Sequence, residues 1–174
     1  MSILKSDTYS QFIRRYRMDR FQAGDDRRLF NEVLALRIRV LVQGEGFDLA
    51  GEPDAYDETA THWAVRHSET YEVFATTRML KIDVPLLKSP EQLETLVLLD
   101  KFVVCPEHRE EGIGRFLMVD ILSHIREKLK LKRIGVVAHT KSLTFFESMG
   151  FISNNRLATY VPLPEGGILM EKMG

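Results

Sequence analysis

Residues Leu99–Leu129, LDKFVVCPEHREEGIGRFLMVDILSHIREKL, decide how this chain is read. They begin with an apolar, largely β-branched run, Phe102, Val103 and Val104, as expected of a buried strand. Pro106 ends that strand, because proline has no N–H to give to a ladder. After Arg109-Glu110-Glu111-Gly112-Ile113-Gly114, the residues Ile113, Leu117, Ile121 and Ile125 recur every fourth position, and Leu122 and Leu129 widen the stripe into one helix face. A strand, a glycine-containing turn and a helix N-terminus together form an anion site. Turn N–H groups converge, the helix dipole adds partial positive charge, and glycine lets a phosphate come close. Neither common nucleotide loop is present. The G-x-x-x-x-G-K-[ST] pattern is missing, and Leu117 stands where the third glycine of G-x-G-x-x-G would be.

Composition narrows the class. The 174 residues are expected to form one domain, 1–174, and 44% hydrophobic with 28% charged residues is the balance of a soluble globular protein. A net charge of −1 argues against a nucleic-acid partner, whose phosphates call for a basic face. Arg14, Arg15, Arg17 and Arg20 do cluster, and read as a solvated strand face. Cys105 is the single cysteine, which excludes an internal disulfide or a cysteine metal cluster and fits a reducing compartment. No apolar run approaches the roughly 20 residues of a membrane span. The N-terminal MSILKSDTYS lacks a signal-peptide core. A cytoplasmic protein without membrane partners is expected.

Phe12–Met18 alternates as a first strand, with Phe12, Tyr16 and Met18 on one side. Gly24-Asp25-Asp26 offers a turn and an N-cap for a helix carrying Leu29, Val33, Leu36 and Val40. Residues 43–61 are a long, acidic, irregular loop, the kind that is functional or mobile. Residues 62–65 and 73–80 read as a hairpin, 82–92 as a second loop, and 93–104 as the long central strand. Residues 134–138 form a further strand and 141–149 a short helix with Gly150 as its C′ residue. Residues 151–152 and 157–161 start a final hairpin that 168–170 completes. The sum is one α/β domain with a mixed sheet and a β-α-β unit around the glycine turn.

The R-x-x-G-x-G pattern directly after V-V-C-P-E-H resembles the acyl-CoA pyrophosphate loop of the GNAT superfamily of N-acetyltransferases, and the order of elements is similar to the GNAT order throughout. This resemblance implies a GNAT-like acyl-CoA acyltransferase fold, α/β with a mixed central sheet flanked by helices. It implies that the strand at Phe102, Val103 and Val104 splays from its neighbour and exposes backbone groups to the pantetheine arm. It also implies that amides of Glu110, Glu111, Gly112, Ile113, Gly114 and Arg115 hold the pyrophosphate. Arg109 either adds charge there or is an exposed loop arginine. A second landmark, Ser142–Phe151, looks like the family's A-x-x-F-Y-x-x-x-G-F helix. In it Phe146 replaces the tyrosine that often protonates the leaving thiolate. His139 stands where many members have an asparagine near the pantetheine; a satisfied strand-end histidine is its other reading.

The missing tyrosine does not exclude catalysis, since a thiol of pKa near 8.5 is a tolerable leaving group. Amine attack on a positioned thioester depends on proximity and on an oxyanion donor, for which a backbone N–H near Val103 or Val104 is the candidate. Candidate bases are Asp100 and His62, with the loop acids Glu45, Asp54 and Asp57 behind them; caps, turn residues and solvated charges are their alternative readings. Cys105 reads as inert packing ahead of an acyl-enzyme nucleophile. No H-x-x-x-H or similar cluster supports a metal.

A second resemblance touches the N-terminal half. Arg37, Glu52-x-Asp54-x-Tyr56-Asp57, Arg78-Met79-Leu80 and Asp100-Lys101-Phe102 look like landmarks of acyl-homoserine-lactone synthases, which use long-chain acyl carriers. Those enzymes have a glutamate two residues before S-R-F, where this chain has Leu98 before Asp100-Lys101-Phe102. An ion-pair network of Arg37, Asp54, Asp57 and Arg78 holding the acidic loop is the competing reading.

The expected function is therefore transfer of an acetyl group from acetyl-CoA to a primary amine, on a small molecule or a peptide. The acceptor enters between loop 44–60, the hairpin near Arg78 and the C-terminal hairpin, and the acidic loop favours a cationic amine. A longer acyl donor, a non-catalytic acyl-CoA sensor and a plain interaction module stand as alternatives. A homodimer through the exposed sheet edge or the C-terminal hairpin is one arrangement the pattern allows.

Overall fold

The computed structural model describes residues 6–86 and 88–173. Its elements run α1 (Ser6–Arg15), β1 (Tyr16–Phe21), α2 (Arg27–Arg37), β2 (Thr61–His67), β3 (Val73–Pro85) and β4 (Leu93–Val104), then α3 (Ile113–His124), β5 (Arg133–Ala138), α4 (Leu143–Ser148), β6 (Ile152–Ser153) and β7 (Ile168–Met173). The strands form one mixed sheet in the order β1-β2-β3-β4-β5-β7-β6. β4 and β5 are parallel, whereas β1–β2, β5–β7 and β6–β7 are antiparallel. The chain divides into two compact units: residues up to Thr77 with Val103–Val119, and Arg78–Phe102 with Asp120 onward.

In the first unit the expected α2 forms as read. Asp26 caps it, its side chain accepting from the Leu29 amide at 2.9 Å, and Leu29, Phe30, Val33 and Leu36 are buried. The helix continues through a π-helical turn, Ile38–Gly44, that buries Val40 and Leu41. These residues pack with Phe21, Ala64, Val73, Val103 and Cys105. The stripe that starts on α3 is likewise buried: Ile113, Leu117 and Ile121, with Ile125 just beyond the helix, are each at most 1% exposed. Lys130, at φ 55, terminates the π-helical turn Ile125–Leu129 that follows.

Three expected elements are corrected. Residues 12–15 end helix α1, and the first strand starts only at Tyr16. A spacing of four puts Phe12 and Tyr16 on one side of a strand, but equally on one helix face. Phe12 uses it to lie 5.2 Å from the Tyr16 ring and 5.5 Å from that of Phe116. As a result Arg14 and Arg15 are helical, and only Arg17 and Arg20 belong to the strand. β3 extends to Pro85 rather than stopping at residue 80, so the following loop is shorter than expected. Pro85 ends this strand instead of interrupting it. Residues 157–161 are not a strand either. Asn154 accepts from the Arg156 amide at 3.0 Å and starts a 3₁₀ turn, Asn155–Tyr160, that buries Leu157.

β4 carries one irregularity. Its ladder to β5 pairs Val97, Leu98 and Leu99 with Ile134, Gly135 and Val136. Lys101 then adopts φ 51, a left-handed conformation uncommon for a residue with a side chain. The strand continues to Val104.

Candidate active site

The glycine loop is built within the first unit. The Cys105 amide donates to the Phe74 carbonyl at 2.8 Å, and a 3₁₀ turn, Pro106–His108, carries the chain away from the sheet. Glu110 (φ 66) and Gly112 (φ 87) then take left-handed conformations. Glycine suits the second position doubly, since a Cβ there would lie 3.3 Å from the Phe12 ring. The Gly112 carbonyl accepts from the Phe116 amide at 3.0 Å and opens α3. The amides of Ile113 and Gly114 belong to the first helical turn, which the helix's own ladder does not use. Such first-turn amides are groups that can take an anion.

The charged side chains of the loop have distinct places. Arg109 is half exposed, its Nε donating to the Val104 carbonyl at 3.3 Å and its Nη2 lying 3.7 Å from Glu45. Glu111 accepts from the Tyr16 hydroxyl at 3.0 Å and lies 3.1 Å from His108 Nδ1, with Arg15 at 3.9 Å. His108 and then Tyr16 hold the Glu111 carboxyl below the usual carboxylate range. Burial, with Glu111 beside it, pushes the Tyr16 phenol up. The sequence reading used Glu111 only for its amide and missed its side chain.

Cys105, which directly precedes the Pro106–His108 turn, is 3% exposed. Its thiol donates to Glu107 at 2.8 Å and accepts from Arg39 at 2.8 Å. Burial, then the Glu107 contact, pushes the thiol pKa up, so it stays protonated near neutral pH and behaves as packing.

Four candidates fall in the second unit. Phe102 lies 5.5 Å from Phe146 and 5.6 Å from Phe145, and Phe146 lies 6.1 Å from Phe151. Phe146, 1% exposed, thereby docks α4 on β4 through an edge-to-face aromatic cluster. His139 ends β5 and caps the turn Thr140–Ser142, its amide donating to Ser142 Oγ at 3.1 Å. Asp100 is held by Arg78 through two parallel contacts of 2.7 and 2.8 Å, and both side chains are buried. Both carboxylate oxygens are thus engaged by the guanidinium.

His62 is 0% exposed. It is stacked against Phe21 at 5.5 Å and edge-on to Phe30 at 5.2 Å, with Nε2 2.9 Å from the Asp57 carbonyl. This is a core histidine anchoring the acidic loop, closed to a substrate. Beside it, buried Arg37 contacts Asp57 at 2.7 and 3.1 Å and also pairs with Glu52. Asp54 caps a turn, accepting from the Tyr56 amide at 2.9 Å, and Glu58 pairs with Arg27 at 3.0 Å. An ion-pair network therefore does hold the loop. Its partners are Arg37, Glu52 and Asp57, while Arg78 pairs with Asp100. Most of the loop's carboxylates are answered internally, which removes the basis for expecting a cationic acceptor.

A cleft of about 320 Å³ lined by Asp26, Glu32, Arg66 and Tyr71, among others, contains none of the candidate residues. No described helix is long and apolar enough to cross a membrane.

Comparison with known proteins bears directly on this arrangement. Residues 89–160 match the family model of the acetyltransferase (GNAT) domain, a span containing β4, the glycine loop and α4. ElaA of Escherichia coli superposes with a TM-score of 0.69 at 22% identity, over 90% of this chain and 99% of that one. An acyl-CoA N-acyltransferase from Pseudomonas aeruginosa gives 0.66 at 19% identity, over 90% and 99%. A GNAT-family acetyltransferase from Staphylococcus aureus gives 0.68 at 12% identity, over 91% and 98%. No curated relative matches this sequence. The structural likenesses show the fold, and the family model places an acetyltransferase (GNAT) domain signature on residues 89–160.

Proposed function

We propose that this protein transfers an acetyl group from acetyl-CoA to a primary amine by direct attack. The observation that carries the reading is the glycine loop. Two left-handed residues, Glu110 and Gly112, turn the chain directly before the first amides of α3, which the helix's own ladder leaves unused. Such a turn suits a pyrophosphate, and its R-x-x-G-x-G lies within the residues 89–160 that match the acetyltransferase (GNAT) domain model. The amine nitrogen attacks the thioester carbonyl, and a backbone N–H near Val103 or Val104 steadies the oxyanion. The C–S bond then breaks, releasing the CoA thiolate, which takes a proton from water. With Phe146 in the tyrosine's place, that thiolate leaves without a protein acid. With His62 closed in the core and Asp100 clasped by Arg78, the acceptor ammonium loses one proton to solvent before its neutral nitrogen attacks, and a second as the amide forms.

The test is a panel of small-molecule and peptide amines with acetyl-CoA, following thiol release. Amine-dependent release with N-acetyl product in mass spectrometry is the expected result. Tight CoA binding without release from any amine in the panel points to a binding-only sensor and contradicts the transfer reading.

A further inference from the structure

A carboxylate in the middle of a phosphate-binding turn is out of place electrostatically, because it repels the ligand the turn is built for. Glu111 is such a residue, flanked directly by the left-handed Glu110 (φ 66) and Gly112 (φ 87). A non-glycine residue at positive φ is strained and persists only where its surroundings over-determine it. The surroundings here converge on Glu111. The Tyr16 hydroxyl reaches one oxygen at 3.0 Å and His108 Nδ1 the other at 3.1 Å. Both partners are themselves fixed. His108 stacks on Phe74 at 4.0 Å, and Tyr16 is a buried residue at the head of β1 with its ring 5.2 Å from Phe12. Phe12 in turn lies under Gly112.

We infer that Glu111 is a positioning residue: its carboxylate, gripped by Tyr16 and His108, clamps the glycine loop in the conformation that presents the α3 amides to the pyrophosphate. This rests on the reading of residues 109–115 as the phosphate loop. The inference fixes a sign that simple charge arguments reverse. If Glu111 were only a repelling charge, neutralising it would tighten CoA binding. As a clamp, its loss must weaken binding.

The experiment is calorimetric titration of CoA into the unmodified protein, Glu111→Gln, Glu111→Ala and Tyr16→Phe, with thermal melting to check that each folds. The Tyr16→Phe variant removes one hydroxyl from the clamp and leaves the ring packing, so it keeps the test open if the glutamate variants fold poorly. Expected is a rise in Kd of roughly tenfold for Glu111→Ala and roughly threefold for Tyr16→Phe. With an amine found by the screen, KM for acetyl-CoA should rise while kcat holds. Turnover of acetyl-pantetheine, which has no pyrophosphate, should fall by less than turnover of acetyl-CoA, whereas a general structural defect would lower both alike. Unchanged or tighter CoA binding by the folded variants overturns the clamp alone. No CoA binding by the unmodified protein overturns both the clamp and the function it rests on.

Discussion

Replacing Asp100 decides between a chemical and a structural role for a residue that the sequence offers as a base. Asp100 and Arg78 are 4% and 1% exposed and share two contacts of 2.7 and 2.8 Å. Removing one partner leaves a buried charge without its counter-ion, which costs about 3–5 kcal/mol. In a domain of this size each kcal/mol lowers the melting temperature by about 2–4 °C, so Asp100→Ala should melt roughly 6–20 °C lower. Replacing both residues with apolar ones of similar volume, Arg78→Met with Asp100→Leu, should recover most of that loss, because neither charge is then stranded. Melting followed by circular dichroism gives the stabilities, and thiol release measured well below every melting point gives the activities. The double variant should retain acetyl transfer within a few-fold. Asp100→Asn that melts like the unmodified protein but loses transfer by orders of magnitude would refute the structural reading and make Asp100 the base.

Cys105, its pKa raised by burial, should alkylate with iodoacetamide at pH 8 at least roughly tenfold more slowly than in the denatured chain, accelerating only as pH climbs beyond the ordinary thiol range near 8.5. Equal rates in folded and denatured protein would contradict this. Phe146→Ala should cost about 3–5 kcal/mol in urea unfolding, since its ring holds the cluster with Phe102, Phe145 and Phe151. Asp26→Ala should cost about 1 kcal/mol through the lost cap to Leu29, and a null effect would show that the helix start is held by packing alone.

The α3 face was legible because four residues at one spacing leave no other periodicity to choose. The turn between β4 and α3 was legible because its proline and glycines stand between an apolar strand run and an amphipathic helix stripe. Residues 12–15 were misread for the opposite reason: Phe12 and Tyr16, four apart, satisfy helix and strand alike. Residues 157–161 were misread because Asn154 starts a turn that hydrophobicity does not register. Of the site, backbone features were readable and side-chain partnerships were not. Tyr16 meets Glu111 across 95 positions, and no local pattern announces that contact. A weaker signal did exist for the ion pairs. Arg78 and Asp100 each interrupt an apolar strand, and a charge buried in a sheet requires an opposite one beside it. The burial of His62 was not legible, because a histidine at a strand start looks the same in sequence whether it faces a cleft or the core.

The most direct measurement is acetyl-CoA titration into the unmodified protein and Gly114→Glu. Gly114 lies in the first turn of α3, where a glutamate suits the helix dipole and folding should hold. Its charge would meet the pyrophosphate, so binding should weaken by at least roughly tenfold. Saturable binding by the unmodified protein, weakened in this way in a variant that melts normally, is the predicted result. Binding of equal strength in both would place acetyl-CoA elsewhere and contradict the assignment of the glycine loop.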